Sequence, residues 1–139
     1  MINVRELMLG NFVKAKDGVV LVGKIHRDSV ADKWGGIYFD DEIEGIEVTG
    51  ELLEKMGFEK VHPFVKEDTL YQYWSKDALY KLEVDGVSIN SGRKWHLHID
   101  NDRCCHIGSG EFTYVHELMN LTRICTGCNL PITKEMLYD

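Results

Sequence analysis

Hydrophobic and polar residues alternate most regularly in the middle of the chain. The apolar residues of this alternation are Tyr80, Leu82, Val84, Val87, Ile89, Trp95, Leu97 and Ile99. A period of two is typical of strands that bury one face. The dipeptide Asp85-Gly86 and the segment 90–92 are typical of the turns between such strands. We therefore predict an antiparallel meander with one apolar and one polar face, which returns through a further turn at 100–103 to residues 104–107.

Two helices are predicted on either side of this meander. Apolar and small residues between Tyr114 and Cys125 recur at helical spacing on one broad face, and Gly127 follows as a helix-ending residue. A shorter helix is predicted at 51–56, with Thr49 as its N-cap. We expect the longer helix to cover the apolar face of the meander.

Residues 1–48 contain short apolar runs separated by tight turns. Asn3 is predicted to cap a first helical turn, Asp17-Gly18 to form a type I′ hairpin, and 19–25 and 37–39 to form strands. Several short strands in so few residues are typical of a small, bent, SH3-like barrel. We therefore predict an α+β fold: a barrel-like N-terminal lobe (1–48), a short linking helix, and an α+β lobe (49–139) packed on it.

Composition and charge restrict the classes of function. The chain has 139 residues, and its 16 Lys and Arg against 23 Asp and Glu give a formal charge of -7. This acidity argues against a nucleic-acid partner, which requires a basic face. Neither a signal peptide nor a membrane-length apolar run is evident. We expect a cytoplasmic protein with no membrane partner, whose cysteines are thiols or metal ligands.

Three segments carry a family resemblance. They are Val4–Val13, Ile46–Phe58 and Tyr114–Leu121, the last followed by Thr126-Gly127. They resemble a family of small uncharacterised proteins encoded by gut anaerobes, their mobile elements and phages. The resemblance implies no particular chemistry, but this genomic setting favours a binding protein of a phage or mobile element, for example one that sequesters a host signal in counter-defence. The family ends in acidic residues where this chain has Cys128 and Asn129.

Histidines and cysteines form two candidate zinc sites. With a two-residue loop at Asn101-Asp102, His98 would lie opposite Cys105, and His96 would project from the same face. Nitrogen and sulfur ligands in this arrangement suit Zn²⁺. A solvated polar face is the alternative interpretation.

Cys125-Thr126-Gly127-Cys128 has the spacing of half a second zinc site. Cys104, Cys105 or His106 would complete it, while the alternative is thiols in the core and on the surface. A zinc-stabilised interaction module is therefore one alternative function. A small metal-dependent hydrolase using His96, His98 and Asp100 is another.

A set of aromatic, basic and histidine residues is the candidate ligand site. Its members are Trp34, Tyr71, Tyr73, Trp74, Arg93, Lys94, His96 and His98. Aromatic faces with cationic side chains can stack on a nucleobase and hold its phosphates. The alternative interpretation is that the aromatic residues belong to the core.

An acidic run is the last candidate feature. It consists of Asp40, Asp41, Glu42, Glu44 and Glu47, and either binds a basic partner or protects a sheet edge from pairing. No nucleophile elbow, P-loop or dinucleotide-binding fingerprint is present in the sequence. We therefore favour a non-enzymatic binding protein whose partner is a host protein or a small nucleotide-like molecule.

Overall fold

The computed structural model describes residues 2–62, 70–74, 80–89, 92–101 and 106–138. Within these residues the chain has the predicted α+β character, with antiparallel sheets and two α-helices. None of the described helices is long and apolar enough to cross a membrane.

The N-terminal lobe contains six strands of two to four residues. They are β1 (Phe12–Ala15), β2 (Gly18–Leu21), β3 (Lys24–Ile25), β4 (Ser29–Ala31), β5 (Ile37–Phe39) and β6 (Ile43–Glu44). They form two three-stranded sheets, with the orders β2-β1-β6 and β3-β4-β5. A 3-10 turn at Val4–Glu6 precedes them, and the Asn3 side chain accepts from the Arg5 amide as predicted.

The SH3-like barrel prediction is wrong, because no closed barrel is seen. A closed barrel needs a continuous hydrogen-bonded ladder around its circumference. Here β1 and β6 pair over two residues only, and no described strand pair links the two sheets.

The predicted strand at 19–25 is interrupted after Leu21, and its last two residues join the second sheet. The predicted hairpin forms one residue early, since Ala15 pairs with Gly18 and the turn is Lys16-Asp17.

The C-terminal lobe contains one five-stranded antiparallel sheet, and its last three strands lie in the segment where the meander was predicted. Its strands are β7 (Glu59–His62), β8 (Leu70–Trp74), β9 (Tyr80–Ile89), β10 (Gly92–Asn101) and β11 (His106–Phe112), in the order β11-β10-β9-β8-β7. Helix α1 (Gly50–Lys55) precedes the sheet and α2 (Val115–Thr126) follows it. The Leu52 amide donates to the Thr49 hydroxyl at 3.2 Å, and Gly127 ends α2 with a φ of 73°, so both predicted caps are confirmed.

The predicted turn at Asp85-Gly86 is wrong, because β9 continues straight through it. Asp85 pairs with Leu70 of β8 on one side and with His96 of β10 on the other. Gly86 lies opposite Trp95, whose indole is buried. A glycine at this position adds no side chain to the core face where the indole packs.

Two clusters of buried residues hold the fold together. One is formed by residues between Ile2 and Ile43, and the other by residues between Val48 and Leu130. In the second cluster, the indole Nε1 of Trp95 donates to the Val48 carbonyl at 3.0 Å. The division of the chain at residue 48 into two lobes stays a prediction.

Helix α2 connects the two lobes through its polar side. Asn120 donates to the Glu6 carbonyl at 3.0 Å and accepts from the Asn11 amide group at 2.8 Å. Backbone hydrogen bonds also cross the junction, from Val115 to Ile46 at 2.8 Å. The lobes are therefore held against each other by hydrogen bonds as well as by the chain connection.

Candidate functional site

The residues predicted as one aromatic ligand site lie in separate places. Tyr71 pairs with Val84 and Tyr73 with Leu82, which puts both tyrosines on the core face of the large sheet. Trp74, His96 and His98 lie on the opposite face. Trp34 belongs to the N-terminal lobe, and the side chains of Arg93 and Lys94 lie outside the part that the structure describes.

The polar side chains on the outer face of the large sheet contact one another. The rings of His96 and His98 lie 4.3 Å apart, and Nε2 of His98 is 3.8 Å from a carboxylate oxygen of Asp85. Lys81 contacts Glu83 at 2.8 Å and lies 5.3 Å from the centre of the Trp74 ring. The Lys81–Glu83 pair lies along β9 and the His98–Asp85 contact joins β10 to β9, as is typical of a solvated sheet face.

The first predicted zinc arrangement rests on a register that the structure does not have. His98 pairs with Ser109, and a bulge between Ile99 and Asp100 brings His106 opposite Asp100. Cys104 and Cys105 lie outside the described residues. Among the residues that are described, no group of three or more His, Cys, Asp or Glu side chains is arranged to hold a metal ion.

The C-terminal cysteines differ in their surroundings. Cys128 is exposed, whereas Cys125 is half-buried and packs its sulfur against Gly108 of β11. A Cβ at Gly108 would approach that sulfur to 2.8 Å. Cys125 therefore fits its position as a packed thiol, and the zinc-stabilised module stays a prediction.

Trp34 lies at the tip of the turn between β4 and β5, and this turn is tightly organised. Oδ1 of Asp32 accepts hydrogen bonds from the amides of Trp34 at 2.9 Å and Gly36 at 2.8 Å. Gly35 has a φ of 88°, which a side chain at this position would disfavour. The turn presents Trp34 with 75% of its surface exposed, and Nζ of Lys33 lies 4.5 Å from the ring centre.

Beside this turn lies a cavity of about 460 Å³, which we call the aromatic groove. It lies between the two small sheets, and its principal lining residues are Phe12, Asp17, Asp32, Trp34, Tyr38 and Tyr138. The Val19 amide donates to the Tyr138 hydroxyl at 3.1 Å. The C-terminal end of the described chain therefore forms part of a groove in the N-terminal lobe.

Carboxylates give the aromatic groove a negative potential at Tyr38. The Tyr38 hydroxyl lies 3.5 Å from Oδ2 of Asp32, at the long limit of a hydrogen bond. Desolvation, followed by the nearby charges of Asp32 and Asp17, raises the pKa of Tyr38 above 10.0. This potential disfavours the phenolate form of Tyr38. The lining of the groove as a whole is balanced, because Lys33 and Lys134 lie in it as well as Asp17 and Asp32.

Two further cavities adjoin the aromatic groove. One, of about 480 Å³, shares Ala15, Asp17 and Tyr38 with it and continues to Asp41 and Glu44. The other, of about 650 Å³, lies between the lobes. The walls of this larger cleft mix glutamates with lysines, and none of its apolar or aromatic side chains is as exposed as Trp34.

Sequence patterns identified Trp34 but none of the other aromatic residues of the groove. The segment Asp32-Lys33-Trp34-Gly35-Gly36 contains a local signal, since an Asp before glycines is typical of a side-chain-capped turn. Tyr38 and Tyr138 are 100 positions apart, so only the tertiary structure brings them together. No protein-family model, curated protein or solved structure matches the chain, and its function is therefore inferred from the site itself.

Proposed function

We propose that the chain is a non-enzymatic binding protein that captures an extended segment of a partner protein in the aromatic groove. The observation that carries the proposal is the 75% exposure of Trp34 on a turn that Asp32 holds in place. Tryptophan is enriched among residues that dominate binding energy at protein interfaces. Because Asp32 already holds the backbone of this turn, the turn loses less conformational freedom when a partner binds.

A protein partner explains the surface around the groove better than a nucleotide does. Ile37 and Phe39 of the adjoining strand β5 are 57% and 53% exposed on the face opposite to Tyr38, so exposed apolar side chains lie on the same hairpin as Trp34. Clustered exposed apolar residues mark interaction sites for proteins. The groove also has no excess of positive charge for the phosphates of a nucleotide, because Asp17 and Asp32 balance its two lysines. For a protein of a phage or mobile element, the binding would sequester a host protein.

The test compares two variants, in each of which one exposed tryptophan is replaced by alanine. Trp34→Ala removes the side chain at the groove, and Trp74→Ala removes a tryptophan that is 55% exposed on the other lobe. A random dodecapeptide library displayed on phage is selected on the wild-type protein, and the enriched peptides are synthesised. Their dissociation constants are then measured by fluorescence anisotropy on all three proteins.

We expect the selected peptides to bind the wild type and Trp74→Ala alike, and Trp34→Ala at least about tenfold more weakly. Amide chemical-shift changes in the wild type should then map to the 32–38 turn. The proposal fails if no peptide is enriched, or if the peptides bind Trp34→Ala as tightly as wild type.

A further inference from the structure

The aromatic groove continues into the neighbouring cavity along the tip of the β1–β2 hairpin. The two cavities share Ala15, Asp17 and Tyr38, and together they form a channel. At one end of this channel lie Trp34 and Phe12. The other end, which we call the acidic end, is bounded by Asp41, Glu42 and Glu44. A channel with two different ends fits an extended peptide better than a compact ligand.

The acidic end carries more negative than positive charge. Its lining contains four carboxylates, those of Asp17, Asp41, Glu42 and Glu44, against the two ammonium groups of Lys14 and Lys16. Glu42 is partly engaged, because one of its oxygens accepts from the Phe39 amide at 3.1 Å. Among the described contacts, the Asp41 and Glu44 carboxylates accept no hydrogen bond, although Glu44 lies directly opposite Lys14 of β1. These exposed carboxylates are therefore available to a partner cation.

At the Trp34 end of the channel, the aromatic ring already has a cation beside it. Nζ of Lys33 lies 4.5 Å from its ring centre, within the range of a cation–π contact. Because Lys33 already supplies a positive charge there, a second cation at Trp34 would be repelled by it. An apolar partner side chain suits the Trp34 end, and a cationic one suits the acidic end.

We infer that the captured segment is basic: an extended peptide that places an apolar side chain against Trp34 and a lysine or arginine side chain at the acidic end. This inference rests on the proposed function and adds the chemistry of the partner. Asp41, Glu42 and Glu44 of the acidic run therefore act as part of the binding surface. Complementary charge at such exposed positions acts mainly on association rate and on selectivity.

The experiment tests the charge preference separately from the role of Trp34. The double variant Asp41→Asn/Glu44→Gln removes two negative charges from the acidic end. Its matched control, Glu54→Gln/Glu59→Gln, removes two exposed negative charges on α1 and β7, outside the channel lining. The probes are the library-selected peptides and versions in which each Lys or Arg is replaced by Gln.

We expect the selected peptides to be enriched in Lys and Arg, and to bind the Asp41→Asn/Glu44→Gln variant about three- to tenfold more weakly than the control variant. Raising the ionic strength should weaken wild-type binding, and should weaken binding to the double variant less. Gln-substituted peptides that bind as tightly as their parents would overturn the inference. So would equal affinity for the double variant and its control. Neither result contradicts the proposed function if Trp34→Ala still weakens binding. If Trp34→Ala binds the peptides as tightly as the wild type does, the proposed function itself is overturned.

Discussion

Strands β9 and β10 bury one row of apolar side chains, whereas the hairpin formed by β4 and β5 exposes several of its own. In the C-terminal lobe, Leu82, Val84, Leu97 and Ile99 on β9 and β10 are 3% exposed or less, with polar residues between them. In the N-terminal lobe, Ile37 and Phe39 on β5 are more than half exposed, and so is Trp34 in the turn before them. Both regions are antiparallel sheet, so the backbone arrangement does not account for the difference.

The core of the N-terminal lobe is complete without these exposed residues. Val13, Val30 and Ile43 are fully buried in a cluster that does not include Trp34, Ile37 or Phe39. Single exposed apolar side chains are common on protein surfaces, and Trp74 and Ile124 of the C-terminal lobe are also 55% and 72% exposed. Trp34, Ile37 and Phe39 differ because they lie in one hairpin beside the aromatic groove, which is the arrangement expected of a binding surface.

The largest test of this contrast compares two tryptophans. Trp95→Ala should lower the free energy of unfolding by about 3–5 kcal/mol, since it leaves a cavity and an unpaired Val48 carbonyl. Trp34→Ala should change it by no more than about 0.5 kcal/mol, because the side chain packs on little. Urea denaturation followed by circular dichroism measures both. Trp95→Phe, expected to cost less, serves if Trp95→Ala does not fold. Similar losses at Trp34 and Trp95 would contradict the contrast.

The second prediction concerns the junction of the lobes. A Cβ at Gly45 would lie within 2.5 Å of the Tyr114 ring, so Gly45→Ala should cost about 1–3 kcal/mol of unfolding free energy. The same substitution in a Tyr114→Ala background should cost much less, because the clash is gone. A double-mutant cycle by thermal or chemical denaturation gives this coupling. Additive effects of the two substitutions would show that the lobes do not meet here.

The third prediction is a pH dependence that arises from His116 of α2. This side chain is 1% exposed, neither ring nitrogen has a hydrogen-bond partner, and Nε2 lies 3.9 Å from the Glu6 carboxylate. Burial lowers the pKa of His116 below 6.5, while the charges of Glu117 and Glu6 oppose that shift. Below pH 6.5 the unfolded chain therefore binds a proton that the folded protein resists.

The contribution of neutral His116 to stability is consequently complete above pH 6.5 and is lost progressively as the pH falls below it. The loss amounts to about 1.4 kcal/mol for each unit by which the pKa is lowered. We expect the free energy of unfolding of His116→Gln to fall less than that of wild type between neutral and mildly acidic pH. The other histidines are common to both proteins and cancel. A wild type that gains stability relative to His116→Gln on acidification would show that Glu6 holds a protonated ring.

The smallest effect is expected at the turn that holds Trp34. Asp32→Ala removes the acceptor of two turn amides and should cost about 1 kcal/mol or less, because the turn is near the surface. We also expect Asp32→Ala to make the backbone of the turn more mobile, which would lower the heteronuclear NOE of the Trp34 amide. Asp28→Ala, in the neighbouring exposed turn before β4, serves as the control. An unchanged NOE in Asp32→Ala would mean that Trp34 is positioned by something else.

Features that depend on neighbouring residues were predictable from the sequence. The caps at Asn3, Thr49 and Gly127 form within one or two turns, and the residue type alone indicates them. The alternation correctly indicated that Leu82, Val84, Trp95, Leu97 and Ile99 are buried, whereas the same-face prediction for Val87 and Ile89 depended on the turn that does not form. These predictions succeeded because the physical causes are local or repeat along a single element.

Pairing partners were less predictable. Asp85-Gly86 is compatible with a turn, but strands on both sides of it stabilise an extended conformation. Strand β10 continues to Asn101 and β11 begins at His106, so His98 lies opposite Ser109 and not opposite Cys105. The bulge between Ile99 and Asp100 accounts for only one residue of this difference. The missing barrel closure has the same origin, since closure depends on contacts between strands distant in sequence.

By itself, the sequence determined the two helices and the apolar and polar faces of the central strands, and it identified Trp34 as a candidate binding residue. These features were predictable because periodicity and turn chemistry act over a few residues. Only the tertiary structure decided that Tyr71 and Tyr73 belong to the core, and that Tyr38 and Tyr138 join Trp34 at one groove. The physical reason is that burial is a property of the assembled surface. Whether an aromatic ring is covered depends on elements that its neighbours in the chain do not specify.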